Sequence, residues 1–365
     1  MRLVWATVTA VESSAPGMQR LAVTPDGGAD GIAIGYPPLC GECALGDRVL
    51  LNTTAVDLDL GTGGTHFVVA RAGHGEGVQL DDSSGGHIMK LRYTPLQRDV
   101  LAVESPESPF HDVMKAADDL DGLPVVCCGL HSQVPLVAAA IKHADPTLRI
   151  TYCMTDQAAL PIALSRVIGA STQAGLLDAT VTCGSAFGGD LEAVNLHSGL
   201  LAARHVAGAD VAIVAIGPGV VGTSTPFGHG GVAQGEALNA VSVLGGVPIA
   251  CLRLSFVDAR KRHRAVSHHT LCALSRVAMG SALVAVPSLP HAQAAEVDAA
   301  LEESGVWARH RREQAMGGAD VPSLRGIDVT TMRRGFDDDP AFFFAAYAAG
   351  EVAARSVVGK VTDKD

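Results

Sequence analysis

Two periodicities divide this chain. Over the first eighty residues, apolar and polar positions alternate in short runs: Leu3–Val11, Gln19–Thr24, Gly31–Ile34, Arg48–Asn52 and His66–Ala72. Turn clusters separate them, PDGGADG at 25–31 and GTGG at 61–64 among them. Alternation of this kind marks strands with one buried face, and five at this spacing predict a small all-β barrel of the SH3 or OB kind. From about Phe110 the pattern changes. Apolar β-type runs at Pro124–Cys128, Arg149–Met154, Ala179–Cys183, Val211–Ile216, Ile249–Phe256, Leu283–Val286 and Arg325–Val329 alternate with helical periodicity near 133–143, 158–174, 190–205, 230–243, 267–279, 293–304 and 340–355. A strand that is apolar on both sides is covered on both faces, so this half predicts a Rossmann-like, mostly parallel α/β sandwich. The expected organisation is a barrel over 1–80, a linker with an extra strand over 81–108, an α/β domain over 109–356 and a flexible tail over 357–365.

Composition narrows the function classes. Apolar residues make up 48% of the chain and aromatics only 4%, which suits packed α/β layers more than an aromatic binding surface. The net charge of −11 argues against nucleic-acid binding, which needs a basic face to neutralise phosphates. No apolar run has the length of a membrane span. The opening MRLVWATVTAVE alternates as a strand does and lacks the form of a signal peptide. The eight cysteines lie mostly within apolar strands and helices and form no disulfide framework, which points to a reduced, cytoplasmic setting. A small anionic metabolite is the expected partner, and assembly as a homo-oligomer is compatible with the sequence.

Ligands of open α/β sheets sit beyond the carboxyl ends of the strands, so the polar residues after each strand are the candidates. Foremost is SFVDARKRHRAVSHHT at 255–270, a basic knot in an acidic chain. Arg260, Arg262 and Arg264 have the planar forks that grip a carboxylate or phosphate. Ser267 is a suitable N-cap for the helix that follows. His268 and His269 then fall in its first turn, where the positive helix end favours neutral imidazoles suited to acid–base work. Asp258 stands beside them, and His131 of GLHSQ follows an earlier strand. The competing reading is a solvated basic loop paired with Asp258 and the acidic surface.

Two glycine-rich loops complete the candidate pocket. Gly217, Gly219 and Gly222 of GPGVVG have dinucleotide-fingerprint spacing. Pro226 interrupts the helix that should follow, however, and no acidic residue ends a second strand, so a backbone anion cradle over 217–231 fits better. Gly184, Gly188 and Gly189 of CGSAFGGD form the second loop, with Asp190 placed to cap a helix. A serine-nucleophile elbow, a phosphate-binding P-loop and an HExxH motif are all missing. Cys40-x-x-Cys43 has no second pair and reads as a surface turn. No metal is expected. Neighbouring helical residues such as His268 and His269 diverge by about 100°, which leaves open only a set drawn from His131, Asp156, Asp258 and one of His263, His268 or His269. No cofactor is indicated.

The ordered segments GDRVLLNTTAVDLDLGTGG, GGHIMKLRYTPLQ, CGSAFGGDLEAVN, IGPGVVGTSTPFG, SHHT and VTTMRRGFDDDPAFF, spread over nearly the whole chain, resemble the bacterial DUF3866 family of unknown function. The resemblance implies one chain type with a fixed order of motifs and supplies no catalytic residues. The residues themselves lead to two expectations. One is an enzyme acting on a small phosphorylated, nucleotide-like or carboxylate metabolite. The other is a non-catalytic ligand-binding or regulatory protein using the same pocket. An enzyme should hold a histidine within hydrogen-bond reach of another titratable group.

Overall fold

In the computed structural model, which describes residues 1–59, 64–73, 85–316, 324 and 326–362, the change of periodicity becomes a division into two units, Met1–Val100 and Leu101–Asp365. Most of the GTGG loop, the linker core at 74–84 and Arg325 lie outside the described residues.

The first unit contains β1 (Leu3–Ala15), β2 (Met18–Pro25), β3 (Gly31–Gly35), α1 (Pro37–Cys40), β4 (Arg48–Asn52), α2 (Thr54–Asp57) and β5 (Thr65–Arg71). The five strands close a barrel in the order β1-β2-β3-β5-β4. The β3–β5 pair is parallel and the others antiparallel, a Greek-key crossing that matches the OB kind of the two expected barrels. Alternate residues Ala6, Val8, Leu21, Val23, Val49 and Leu51 point inward, as the period of two requires. Cys40 and Cys43 join this core and are almost fully buried, which corrects their reading as a surface turn. The HIMKLRYT segment supplies β6 (Ile88–Lys90), which pairs antiparallel with β7 (Arg98–Val100).

The second unit runs α3 (His111–Ala116), β8 (Pro124–Cys127), α4 (Val134–Ala144), β9 (Ile150–Thr155), α5 (Arg166–Gln173), β10 (Ala179–Cys183), β11 (Leu191–Ala193), α6 (Leu196–His205), β12 (Val211–Ile216), α7 (Val232–Val243), β13 (Val247–Cys251), β14 (Leu254–Ser255), β15 (Ala265–Val266), α8 (His268–Cys272), β16 (Leu283–Pro287), α9 (His291–Glu303), β17 (Arg311–Ala315) and α10 (Pro340–Thr362). Eight strands form one sheet in the order β11-β10-β9-β12-β8-β13-β16-β17, and every pairing in it is parallel. Three expectations need correction. The run Ile249–Phe256 breaks after Cys251 and resumes as the short β14. The segment read as helix from residue 190 first adds the edge strand β11, and the helix begins only at Leu196, capped by Asn195. Residues 326–329 are not a strand, and β17 takes the sheet edge beyond β16 instead. The last helix continues to Thr362, into the segment expected to be flexible.

The sheet's two faces follow from alternation within its strands. Val125, Cys127, Ala212 and Val214 pack into one core with Leu238 and Val241 of α7. Val126, Ile213 and Ala215 pack into the other with Leu136 and Val137 of α4. Helix α4, which follows β8, and α7, which follows β12, therefore cover opposite faces. Because β8 and β12 are neighbours, their carboxyl ends form the crevice where such sheets bind ligands.

On the α4 face, α10 lies against α4 across Gly350. A Cβ there would meet Ala140 Cβ at 2.6 Å and press on the Val137 carbonyl. Replacing a mid-helix glycine by alanine ordinarily stabilises by up to about 1 kcal/mol. Here Gly350→Ala is expected to reverse that sign and destabilise by about 1–2 kcal/mol through overpacking, measurable as a lower urea midpoint. A midpoint at or above that of the parent would show that the two helices yield freely.

Candidate functional site

The site grows from the carboxyl ends of β12 and β13, the strands on either side of β8. Two buried glutamines fix the frame. Gln234 donates from Nε2 to the carbonyls of Cys127 (2.8 Å) and Cys251 (2.7 Å), and Gln133 donates to that of Leu252 (2.9 Å). Beyond them Ser255 pairs with Ala265 in the antiparallel β14–β15 ladder, which throws out the basic loop between. Ala265 has φ +53°. A left-handed alanine costs about 1–2 kcal/mol and persists only where its surroundings over-determine it.

That backbone delivers histidines to one place. His263 comes from the loop, and His268 and His269 from the start of α8. His229 comes from the loop after β12. The ring centroids of His229 and His269 are stacked 4.1 Å apart, those of His268 and His269 lie 4.4 Å apart, and His263 lies 5.0 Å from both His268 and His269. His263, His268 and His269 each offer a ring nitrogen, all within 4.8 Å of one another. The expectation that neighbouring His268 and His269 diverge too far to converge is thus corrected: the imidazole reach exceeds the offset of their Cβ vectors, and His263 folds in from the loop. The β12 loop closes over them as a small hairpin, with Thr223 and Gly228 hydrogen-bonded and Gly222 bridged to His229. Its glycines permit the approach. A Cβ on Gly222 would lie 3.2 Å from His269 Nε2, and one on Gly231 3.1 Å from His229 Nδ1.

Burial favours the neutral form of these imidazoles. Burial, with Arg253 and the other histidines adding repulsion, pushes His269 down to about 2. Burial and the nearby Arg253 and Arg260 push His263 down to about 3. Burial also lowers His268 and His229. Ser267 caps α8, accepting the His269 N–H at 3.3 Å, and its hydroxyl lies 2.8 Å from His263 Nδ1. His229 Nε2 is 3.1 Å from the Pro226 carbonyl, which accepts its proton. His229 Nδ1, His268 Nε2 and Arg262 Nε are buried without a protein partner.

The arginines sort into three groups. Arg260 grips Asp258 with both arms of its fork, at 2.9 and 2.8 Å, and holds that carboxyl far below the usual carboxylate range. Both Asp258 oxygens are thus committed to the ion pair, which counts against the acid–base role expected for Asp258, and Arg260 is occupied. Arg264 turns to the surface, pairs with Glu296 at 3.3 Å and donates to the Phe256 carbonyl, so it is not an anion holder in this cluster. Arg334 bridges Asp258 (3.5 Å) and the buried Asp339 (3.2 Å). Arg253 and Arg262 remain. Arg253 is only 6% exposed, has no carboxylate within ion-pair distance among the described residues, and points one arm at His269 Nδ1 from 3.5 Å. Burial among Arg260, Arg334 and Arg262 lowers it to about 10.

The remaining expected residues lie elsewhere on the same sheet edge. His131 begins the turn after β8, partly buried and lowered by burial to about 4. The Gly184–Asp190 loop follows β10, and the chain's own acceptors fill its amides: Ser185 N–H goes to Asp156, that of Gly188 to Glu192 and that of Gly189 to Thr182. The Asp190 carboxylate accepts from the Thr180 amide and hydroxyl and caps no helix. Gly217 and Gly219 precede the hairpin, and α7 starts only at Val232, where Gly230 donates to the Val221 carbonyl at 3.0 Å, so α7 packs its start on the end of GPGVVG instead of continuing from it. Arg253, His229 and Asp339 were not among the expected site residues, whereas Arg334 was one of the candidates placed after a strand. A charge inside the apolar run IACLRLSF, and a histidine inside a glycine loop, were the signals available.

The profile of a family described as a protein of unknown function, DUF3866, matches residues 32–350. No curated protein and no solved structure matches the chain. A match over that span, most of the 365 residues, shows that the chain belongs to the DUF3866 family.

Proposed function

We propose that this cluster at the carboxyl edge of the sheet is the binding site of an enzyme for a small anionic metabolite, phosphorylated or carboxylate. Arg253 and Arg262 hold the anion, and the neutral imidazoles beside them carry the chemistry. The observation that supports this reading is Arg253: a guanidinium so deeply buried, with no carboxylate in ion-pair reach among the described residues, three more arginines around it and only the Arg260-bound Asp258 to offset them, is costly unless an anion compensates it. Arg253 also points one arm at His269 Nδ1 from 3.5 Å, which puts the imidazoles beside the proposed anion. His131 is the further acid–base candidate from β8. The Gly184–Asp190 loop has no part in this reading, because its amides are already used.

Inorganic phosphate is the simplest probe. At constant ionic strength, replacing chloride by phosphate in metal-free buffer is expected to raise the melting temperature, since a ligand that binds only the folded state stabilises it. Arg253→Met should lower phosphate affinity at least about ten-fold, the loss of one charged hydrogen bond. Equal shifts in the parent and Arg253→Met, or no shift in the parent, would overturn the assignment.

A further inference from the structure

We propose that His263, His268 and His269 bind one divalent transition-metal ion of the zinc class, with an anion held by Arg253 and Arg262 as its remaining ligand. The inference rests on the preceding reading only for that last ligand.

Three observations carry it. The three ring nitrogens already lie within 4.8 Å of one another. A tetrahedral ion with metal–nitrogen bonds of about 2.0–2.1 Å wants its ligand nitrogens roughly 3.4 Å apart, so small side-chain rotations suffice. His268 Nε2 is buried and has no protein partner, a lone pair or proton that the fold leaves unmatched. His263 is held from behind by the Ser267 hydroxyl at 2.8 Å from Nδ1, the kind of hydrogen bond that orients a ligating imidazole and sets its tautomer. Ser267 also caps α8, so one hydroxyl ties the loop histidine to the helix histidines.

The donor set selects the ion. Neutral imidazoles suit zinc, cobalt, nickel and copper, whereas magnesium and calcium demand oxygens. The nearby carboxylates, Asp258 and Asp339, are committed to Arg260 and Arg334. Three neutral ligands leave the ion's charge uncompensated next to Arg253 and Arg262, so a bare cation is disfavoured. An anion bridging the metal and the arginines removes both difficulties, and metal and anion should therefore strengthen each other's binding reciprocally.

Cobalt(II) gives a readout independent of any activity. Titrated into metal-free full-length protein in phosphate-free buffer, it should saturate at one ion per chain, with visible absorption from a low-coordinate site. His263→Ala, His268→Ala and His269→Ala should each weaken it by at least about 100-fold, and Ser267→Ala, which only orients His263, by about 10–100-fold. His268→Gln serves where the alanine variant does not fold, and His291→Ala, at an exposed histidine, should bind as the parent does. Added phosphate should tighten cobalt binding in the parent and not in Arg253→Met. No saturable cobalt binding by the parent, or unchanged binding in all three histidine variants, would overturn the metal site even if phosphate still stabilises the protein. Intact cobalt binding with no response to phosphate would instead overturn the anion reading.

Discussion

Asp339→Ala is expected to destabilise the second unit by about 3–5 kcal/mol, the range for removing one partner of a buried ion pair. Asp339 is 1% exposed, and its carboxylate accepts from Arg334 Nε (3.2 Å), the Ser255 hydroxyl (2.7 Å) and the Phe256 amide (3.4 Å). It immediately precedes Pro340, the first residue of α10, and so fastens that helix to β14. Without it the Ser255 hydroxyl and Phe256 amide lose an acceptor, and Arg334 keeps only its 3.5 Å contact with Asp258. Asp258 would then face Arg260 and a displaced Arg334. For a unit of this size the loss corresponds to a melting temperature lower by about 6–20 °C. Asp339→Asn retains an acceptor for the hydroxyl and amide and should fall between the parent and the alanine variant. Thermal or urea unfolding measures both. A cost below about 1 kcal/mol, the level of an exposed pair, would show that Asp339 and Arg334 are not coupled as the geometry requires.

The architecture was legible where burial is symmetric. The strands β8, β9, β10, β12 and β16 have both faces covered, so they appear in the sequence as unbroken apolar runs, and the readings of 124–128, 149–154, 179–183, 211–216 and 283–286 lie within a residue of the observed strands. The sheet edges were not legible for the same reason. β17 reads RREQA, polar or charged at four positions with only Ala315 buried, and β11 contributes only three residues. Neither has the apolar run on which the reading depends. In the barrel the period of two survives because each strand has one wet face.

The site was legible as a location and only partly as chemistry. The basic knot and SHHT mark where the histidines of the candidate site converge, and Ser267 is the cap its residue type suggests. What a linear reading cannot show is which cations are already neutralised. Arg260 finds its carboxylate two residues away, Arg264 finds Glu296 on α9, and Arg334 finds Asp339 at the start of α10. The arginine left without an ion-pair partner among the described residues, Arg253, sits between apolar residues just after β13 and resembles an interruption of a strand. The hairpin after β12 also brings His229 to the cluster, because the chain turns back on itself before α7 begins.

Acid should weaken the second unit in a way that one residue away from the cluster can report. Burial lowers His131 to about 4, against about 6.5 in an unfolded chain. Between those values the unfolded state binds a proton that the folded state does not. Stability from this group is therefore fully present above pH 6.5 and falls as the pH drops toward 4, by about 1.4 kcal/mol per pH unit and at most about 3 kcal/mol in total. His310 acts in the same direction: its Nδ1 accepts the Ala282 amide at 3.1 Å while Nε2 faces the Leu274 carbonyl at 2.8 Å, so a second ring proton would confront a donor. The cluster histidines of metal-free protein add to the slope as well. A comparison of the parent with His131→Gln isolates one contribution, because every other group is common to both. Unfolding free energies measured from pH 7.5 to 4.5 should converge with the variant's as the pH falls, the parent losing about one proton's worth of slope more. Parallel curves would mean that His131 titrates near its ordinary value of about 6.5, and an enzyme using it at neutral pH would then hold it about one-quarter charged instead of as the neutral base its burial favours.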